Sequence, residues 1–223
     1  MSVKLVAITK PVVEGIDTAE DFVAYAARVS NPANQANTLT TGKLLKYLIT
    51  NEHWSPLEMV HVVMQIDTTR DIARQILRHR SFSFQEFSQR YADAREMSFT
   101  TREARLQDSK NRQNSIENSD EDLESVWQAY QVRVQHESIR AYDWAIRNGI
   151  AKEQARAVLP EGMTKSRLYM AGTLRSWLHY CLLRRDNGTQ KEHRQHAVDA
   201  LDILIQQFPS ITHITLNEEE SIS

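Results

Sequence analysis

Arginine, histidine and aromatic side chains are concentrated in the stretch RHRSFSFQEFSQRY, which spans residues 78–91. Three basic or ionisable residues in a row are followed by aromatic residues that alternate with Ser, Gln and Glu, and then by another Arg and a Tyr. A guanidinium binds phosphate through a planar fork of donors, and aromatic rings stack on bases. This composition indicates a site for an anionic ligand that carries a ring.

The residues on either side of the basic triplet predict a helix that passes into an extended segment. Residues 68–77 have apolar side chains at helical spacing, a Thr able to cap and Asp71 in the first turn. Gln75 and Arg78 then share a helical face with Arg74. Residues 81–85 alternate between aromatic and polar side chains, which is typical of a strand. The basic residues are therefore expected at a helix-to-strand junction.

Two other interpretations of this stretch remain open from the residues alone. The arginines could pair with carboxylates at a subunit interface while the aromatic residues fill a core. The second alternative is an RNA or single-strand binding module that uses residues 74–91, with the arginines on phosphates and the aromatic rings as stacking platforms. The residues proposed for that module are Arg74, Arg78, Arg80, Phe82, Phe84 and Tyr91.

Length and composition limit the classes of protein. The chain of 223 residues is long enough for one domain with a sizeable core, and 41% hydrophobic with 25% charged residues is ordinary for a globular protein. A net charge of -2 argues against a protein that binds nucleic acid through bulk charge. The single cysteine, Cys181, excludes an intramolecular disulfide and indicates a reducing compartment, so a cytoplasmic location is expected.

Several common architectures are absent from the sequence. No apolar run approaches the ~20 residues needed to cross a bilayer, so no membrane association is expected. The six glycines form neither the G-x-G-x-x-G turn of doubly wound nucleotide-binding folds nor a phosphate-binding P-loop. A dinucleotide would have to be bound by side chains and subunit interfaces.

The remaining elements predict an α+β fold with a small mixed or antiparallel sheet and about six helices packed on it. Strands are expected at residues 3–8, 59–66 and 168–170, and helices at 18–30, 44–49, 119–149, 151–159, 172–190 and 189–208. Thr18, Ser119 and Thr189 are the expected N-caps. Residues 110–122 predict a mobile loop, and the domain is expected to span 1–216 with a disordered acidic tail at 217–223.

The long helix is expected to pack into the core. Its apolar residues recur at helical spacing; they are Leu123, Val126, Trp127, Tyr130, Val134 and Ile139. In the last helix, His193 and His196 have the i, i+3 spacing of a chelate, but no third ligand lies nearby in sequence. We therefore expect both on a solvated face and assign no metal.

The pattern Arg-His-Arg, seven residues, Ser88, one residue, Arg90, Tyr91 resembles the signature of the flavin-dependent thymidylate synthases. Three further segments are similar to that family: AARVS at 26–30, ARAVLP at 155–160 and LRSW at 174–177. The resemblance extends over residues 26–194. It implies a homotetramer with flavin adenine dinucleotide (FAD) between subunits. The implied reaction converts dUMP to dTMP, with methylenetetrahydrofolate giving the carbon and FAD, reduced by NADPH, giving the hydride.

The resemblance also implies roles for individual residues. Arg184 is the expected catalytic residue, which sits against the uracil and favours ionisation at its N3. The residues expected to bind dUMP are Gln75, Arg78, Glu86, Phe87, Ser88, Gln89, Arg90, Arg156 and Arg184. The residues expected to bind FAD are Ser30, His53, Ser55, Glu58, Arg78, His79, Arg80, Thr173, Arg175 and His179. His79 and Arg80 are expected to stabilise reduced flavin by positive charge.

Three positions depart from the family pattern. Thr173 and His179 stand where many relatives have Asn, and Gly188 replaces a common His.

The cysteine count matters too, because other thymidylate synthases attack uracil with a thiolate. Cys181 lies within the apolar run of a predicted helix, which would raise its pKa. We expect no covalent enzyme adduct.

Overall fold

The computed structural model describes residues 1–93 and 98–212. In chain order the elements are β1 Ser2–Ile8, α1 Ala19–Ala27, α2 Thr41–Thr50, β2 His61–Thr69, α3 Arg70–Ile76, β3 Ser83–Glu86, β4 Leu106–Gln107, β5 Ser115–Ile116, α4 Glu121–Arg147, α5 Lys152–Ala155, β6 Lys165–Thr173, α6 Leu174–Arg184 and α7 Lys191–Gln207. A 3-10 segment, Ser55–Met59, precedes β2. The architecture is α+β in one domain, as predicted.

The main sheet has the order β1-β2-β6-β3, and each pair of neighbours is antiparallel. Side chains on β2 and β6 alternate, so that Val62, Met64 and Ile66 face the core beside Leu168 and Met170. This alternation is the two-residue period of a sheet with one covered face. The sheet is therefore antiparallel and not mixed.

Helices α6 and α7 pack against each other, α7 contacts β1, and α6 contacts β2 and β6. Trp177 of α6 is fully buried in this core, and its indole nitrogen donates a 3.0 Å hydrogen bond to the Val62 carbonyl. Thr18 caps α1 as predicted, accepting from the Asp21 amide at 3.0 Å. The core thus fixes α6 directly on the two central strands.

The prediction for the long helix was wrong in one respect. Helix α4 spans nearly the expected residues, but it buries Gln131, Ser138, Tyr142 and Ala145. Five of the residues expected in the core are exposed; these are Leu123, Val126, Trp127, Tyr130 and Val134. Ile139 is half-buried. Helical periodicity defines an apolar face but does not identify what covers that face.

Several predicted boundaries were also wrong. Asp120, not Ser119, caps α4, accepting from the Leu123 amide at 2.9 Å. Gln190, not Thr189, is the N-cap of α7, without a side-chain hydrogen bond. The polar stretch predicted as a loop contributes β5 to a hairpin with β4.

The extended piece at 168–170 is the centre of a nine-residue strand, β6. The predicted domain end at 216 and the acidic tail lie outside the described residues. No helix in the described residues is both long and apolar enough to cross a membrane.

Candidate active site

The stretch 78–91 follows α3 and is anchored by Phe82. This ring is 8% exposed and packs against Trp177 and Tyr180 of α6, with ring centroids 5.0 and 5.9 Å apart. Gly172 on β6 makes room for it, because a Cβ at that position would lie 2.4 Å from the Phe82 ring. The junction between α3 and β3 is therefore pressed onto α6, which brings the basic triplet to the end of that helix.

His79 meets Arg184 at this junction. Arg184 Nε donates a hydrogen bond of 3.0 Å to His79 Nε2. His79 must then be the neutral tautomer with its proton on Nδ1, because Nε2 serves as the acceptor. Burial, Arg184 and Arg78 together lower the pKa of His79 to about 4. The predicted catalytic arginine is thus oriented by a neutral histidine.

A neutral His79 corrects part of the sequence interpretation. We expected His79 to supply positive charge near the ligand, but its lowered pKa leaves it uncharged at pH 7. Arg78 and Arg80, on either side, are exposed. Neither has a carboxylate at ion-pair distance within residues 1–93 and 98–212. These two arginines supply the positive charge of the triplet.

A second cationic feature is a pocket of about 320 Å³. Its lining residues are Arg70, Arg74, Gln89, Glu153, Arg156, Ala157, Leu159 and Glu161. Arg70 and Arg74 are balanced by Glu86 at 3.5 Å and Glu161 at 2.7 Å. We call this feature the arginine pocket.

Two donors of the arginine pocket are left for a ligand. Arg156 donates from Nε to the Glu153 carbonyl at 3.3 Å, and the described chain places no carboxylate in an ion pair with it. The Gln89 side chain is 3% exposed, and its Nε2 has no hydrogen-bond partner in the described residues. Buried donors without partners are costly, so this pocket suits an acceptor-rich group such as phosphate.

The rest of the signature is only partly available to a ligand. The Phe87 amide is already bonded to the Arg167 carbonyl at 2.8 Å, so this amide is not free to donate to a ligand. Glu86 Oε1 accepts from the Ser166 hydroxyl at 2.7 Å and lies 3.5 Å from Arg70, so this carboxylate is already engaged. Ser88 Oγ accepts from the Arg90 amide at 3.4 Å.

Arg90 is exposed and lies 3.7 Å from Glu153, so it borders the arginine pocket.

The residues expected to bind flavin form a second group at the start of α6. Glu58, in the 3-10 segment, forms an ion pair with Arg175. The His179 ring packs edge-on against Trp54 with centroids 4.5 Å apart. Burial and Arg175 lower the pKa of His179. Arg175 and Arg184 lie on this one helix, about 14 Å apart along its axis at 1.5 Å per residue.

Four further predicted residues border this group or lie away from it. His53 packs edge-on against Tyr47 at 5.7 Å, and Ser55 begins the 3-10 segment. Thr173 caps α6 through the Ser176 amide at 3.1 Å, so its hydroxyl is already engaged. Ser30 is exposed in the turn after α1, and within the described residues it forms no hydrogen bond to the others.

Comparison with known proteins identifies the family. The family profile described as thymidylate synthase complementing protein matches residues 11–210. A probable flavin-dependent thymidylate synthase of Paramecium bursaria Chlorella virus 1 is 51% identical over 211 residues, covering 95% of this chain and 97% of that protein. A flavin-dependent thymidylate synthase of Synechocystis sp. is 49% identical over 214 residues, with 95% and 97% covered. The chain belongs to the family of flavin-dependent thymidylate synthases.

A solved structure supports the same relationship. A UMP/dUMP methylase, PolB of Streptomyces cacaoi, bound with 5-Br dUMP, superposes with a TM-score of 0.79 at 26% identity. The match covers 94% of this chain and 91% of that one. The chain therefore shares the fold of this methylase over nearly its whole length.

Sequence reasoning missed three side chains that contact the predicted site, namely Tyr180, Gln190 and His193. His193 and His196 were expected in solvent, but both are 1% exposed. His196 bonds to Thr68 at 2.8 Å, and His193 to Gln75 at 3.2 Å. The sequence did contain a signal that His193 is buried, namely the helical spacing of the apolar residues on α7. His193 falls on the same stripe as residues 197, 200, 201 and 204.

The alternative of a nucleic-acid binding module was wrong. Phe82, one of its stacking platforms, is a core residue, and the family assignment provides a different activity.

Cys181 is fully buried and burial raises the pKa of its thiol, as expected. Among the described residues, no three His, Cys, Asp or Glu side chains are grouped to hold a metal ion.

Proposed function

We propose that the chain catalyses the reductive methylation of dUMP to dTMP. Methylenetetrahydrofolate is the carbon donor, and FAD reduced by NADPH is the hydride donor. The proposal follows from membership of the flavin-dependent thymidylate synthase family. It rests most directly on one observation, the 3.0 Å hydrogen bond from Arg184 Nε to His79 Nε2, which joins the proposed catalytic arginine to the histidine of the signature.

Arg184 is the proposed catalytic residue. Its Nε is held by neutral His79, so both terminal nitrogens of the guanidinium can donate to a base. A cation against the uracil ring favours ionisation at N3 and increases the nucleophilic character of C5. His79 therefore acts by orienting the arginine and not by carrying charge.

The nucleotide phosphate is assigned to the arginine pocket. The unpaired donors of Arg156 and Gln89 suit a dianion, and Arg90 at the rim adds a third donor group. Gln75 and Arg78, on the α3 side, are assigned to the remainder of the nucleotide. The complete proposed set for dUMP is Gln75, Arg78, Glu86, Phe87, Ser88, Gln89, Arg90, Arg156 and Arg184, with Glu86 and Phe87 limited to backbone contacts.

The residues of this chain suit an anionic flavin cofactor. Arg78 and Arg80 offer positive charge without carboxylate partners in the described residues, which fits a diphosphate or a reduced ring. When bound, FAD supplies the hydride. The remaining proposed FAD residues are Ser30, His53, Ser55, Glu58, His79, Thr173, Arg175 and His179. Thr173 can contribute little beyond its capping bond, and Gly188 offers no side chain to folate.

Self-association as a homotetramer is part of the proposal. It is supported by the exposed apolar residues of α4, of which Val126, Tyr130 and Val134 are 52%, 56% and 46% exposed. Apolar surface of this kind is typical of protein interfaces. We also propose a cytoplasmic location, since the sole cysteine is a free, buried thiol.

The test is spectroscopic and enzymatic. Purified protein should be yellow, with flavin bands near ~370 and ~450 nm, and should form dTMP from dUMP, methylenetetrahydrofolate and NADPH. Arg184→Ala should retain the flavin bands and lose turnover. Arg112→Ala, at an exposed position between β4 and β5, is the matched control and should behave as wild type. Colourless protein that takes up no added FAD would disprove the proposal.

A further inference from the structure

Gln75 is held by a directional chain of hydrogen bonds that begins in the core. His193 Nδ1 lies 3.2 Å from Gln75 Oε1, and His193 Nε2 lies 3.2 Å from the Tyr180 hydroxyl. Gln75 Nε2 in turn donates to Gln190 Oε1 at 2.8 Å. Gln190 Nε2 donates to Glu192 at 2.9 Å, whose carboxylate also pairs with Arg102.

The chemistry of these groups fixes the direction of every link. A carboxylate at the outer end can only accept, so each amide must donate toward it and accept from the inner side. Gln75 Oε1 therefore requires a proton on His193 Nδ1. Neutral His193 then accepts at Nε2, which obliges the Tyr180 hydroxyl to donate. Burial, Arg184, His79 and His196 lower the pKa of His193 to about 3, so this arrangement persists through the working pH range.

A fixed direction limits what Gln75 can offer a ligand. Its oxygen is occupied by His193, and one of its two N–H groups by Gln190. The other N–H is left, and Gln75 is half-buried at the edge of the site. The side chain thus holds its oxygen toward His193 and presents an N–H to the site. A free amide would sample both orientations and lose this preference.

We propose that His193 is a positioning residue of the nucleotide site, which acts through Gln75 by holding its amide with the oxygen inward and an N–H outward toward an oxygen of dUMP. The inference rests on the proposed function, in which Gln75 contacts dUMP. Tyr180 supports it by donating to His193 Nε2, and it also packs against His79 at 4.9 Å between ring centroids.

The chain offers a matched control. His196 lies on the same helix and is equally buried. Its side chain is hydrogen-bonded to Thr68 at 2.8 Å, whereas that of His193 is bonded to Gln75 and Tyr180. His196 contacts neither Gln75 nor any residue proposed to bind dUMP. His193→Leu and His196→Leu should therefore lower thermal stability alike. Only His193→Leu should change nucleotide binding.

The experiment measures dUMP dissociation constants on the FAD-loaded protein by titrating the flavin absorbance, together with kcat at saturating dUMP. His193→Leu should weaken dUMP binding about 3- to 10-fold, the range of one neutral hydrogen bond, with kcat within about 2-fold of wild type. His193→Gln, which restores a donor and an acceptor, should recover most of the loss. Tyr180→Phe gives a second, milder test should His193→Leu fail to fold.

A double-mutant cycle tests whether the effect passes through Gln75. In a Gln75→Leu background, His193→Leu should cause no further loss of dUMP affinity. Additive losses, equal losses in His193→Leu and His196→Leu, or unchanged binding in His193→Leu and Tyr180→Phe would each overturn the inference while leaving the proposed function intact. Wild-type protein that binds FAD but no dUMP would overturn both.

Discussion

Lowering the pH from 7.5 to 5.0 should destabilise the protein through its two fully buried histidines. The pKa of His193 is lowered to about 3 and that of His196 to about 4, in both cases chiefly by burial. A histidine has an unfolded pKa of about 6.5. Below that pH the unfolded chain takes up protons that the folded chain does not. The free energy of unfolding is therefore highest above pH 6.5 and decreases as the pH falls toward 4.

The magnitude follows from the difference between pH 5.0 and the unfolded pKa. Each pKa unit corresponds to about 1.4 kcal/mol, so each buried histidine costs on the order of 2 kcal/mol at pH 5.0. His79 also has a lowered pKa, but it is about half-exposed and solvent screening reduces its contribution. The two buried histidines together should remove on the order of 4 kcal/mol, a large share of a typical folding free energy.

The assay is urea unfolding at fixed protein concentration, followed by tryptophan fluorescence at pH 7.5 and 5.0. His196→Leu should be less stable than wild type at pH 7.5 but should lose only about half as much free energy on acidification. Thr68→Val is the matched control, because it removes the hydrogen-bond partner of His196 and leaves the histidine buried. It should lower stability and keep the full pH dependence. Equal stability at the two pH values would refute the argument.

Three further predictions concern function and assembly. Cys181→Ala should still oxidise reduced flavin with dUMP and folate and form dTMP, since the thiol is fully buried with a raised pKa; a folded, FAD-loaded variant without product would contradict this. Arg156→Ala should weaken dUMP binding by about 1.5 to 3 kcal/mol, whereas Arg184→Ala should lower kcat more than affinity; titrations and steady-state kinetics showing small, equal effects would mean that the two roles are misassigned. Tyr130→Glu on α4 should shift sedimentation toward smaller species, and an unchanged sedimentation coefficient would exclude this face from the interface.

The candidate site could be predicted from the sequence because its residues are close together along the chain. Arg78, His79 and Arg80 are consecutive, Ser88 and Arg90 follow at a fixed interval, and neighbouring residues need no fold to be recognised together. The α+β class and most helices were also predictable, since a helix repeats every 3.6 residues and a strand every two. Cys181 was correctly predicted to be buried for the same reason.

Charge states and partners depended on the tertiary structure. His79 is neutral because burial lowers its pKa and because α6 brings Arg184 within 3.0 Å of it. Arg184 and the side chains of α6 that cover His79 are far from it in sequence. His193 reaches Gln75 across 118 residues of chain, and Arg156 reaches the same pocket as Arg70 and Gln89. A pKa or a hydrogen bond depends on distance in space, whereas the sequence records only distance along the chain.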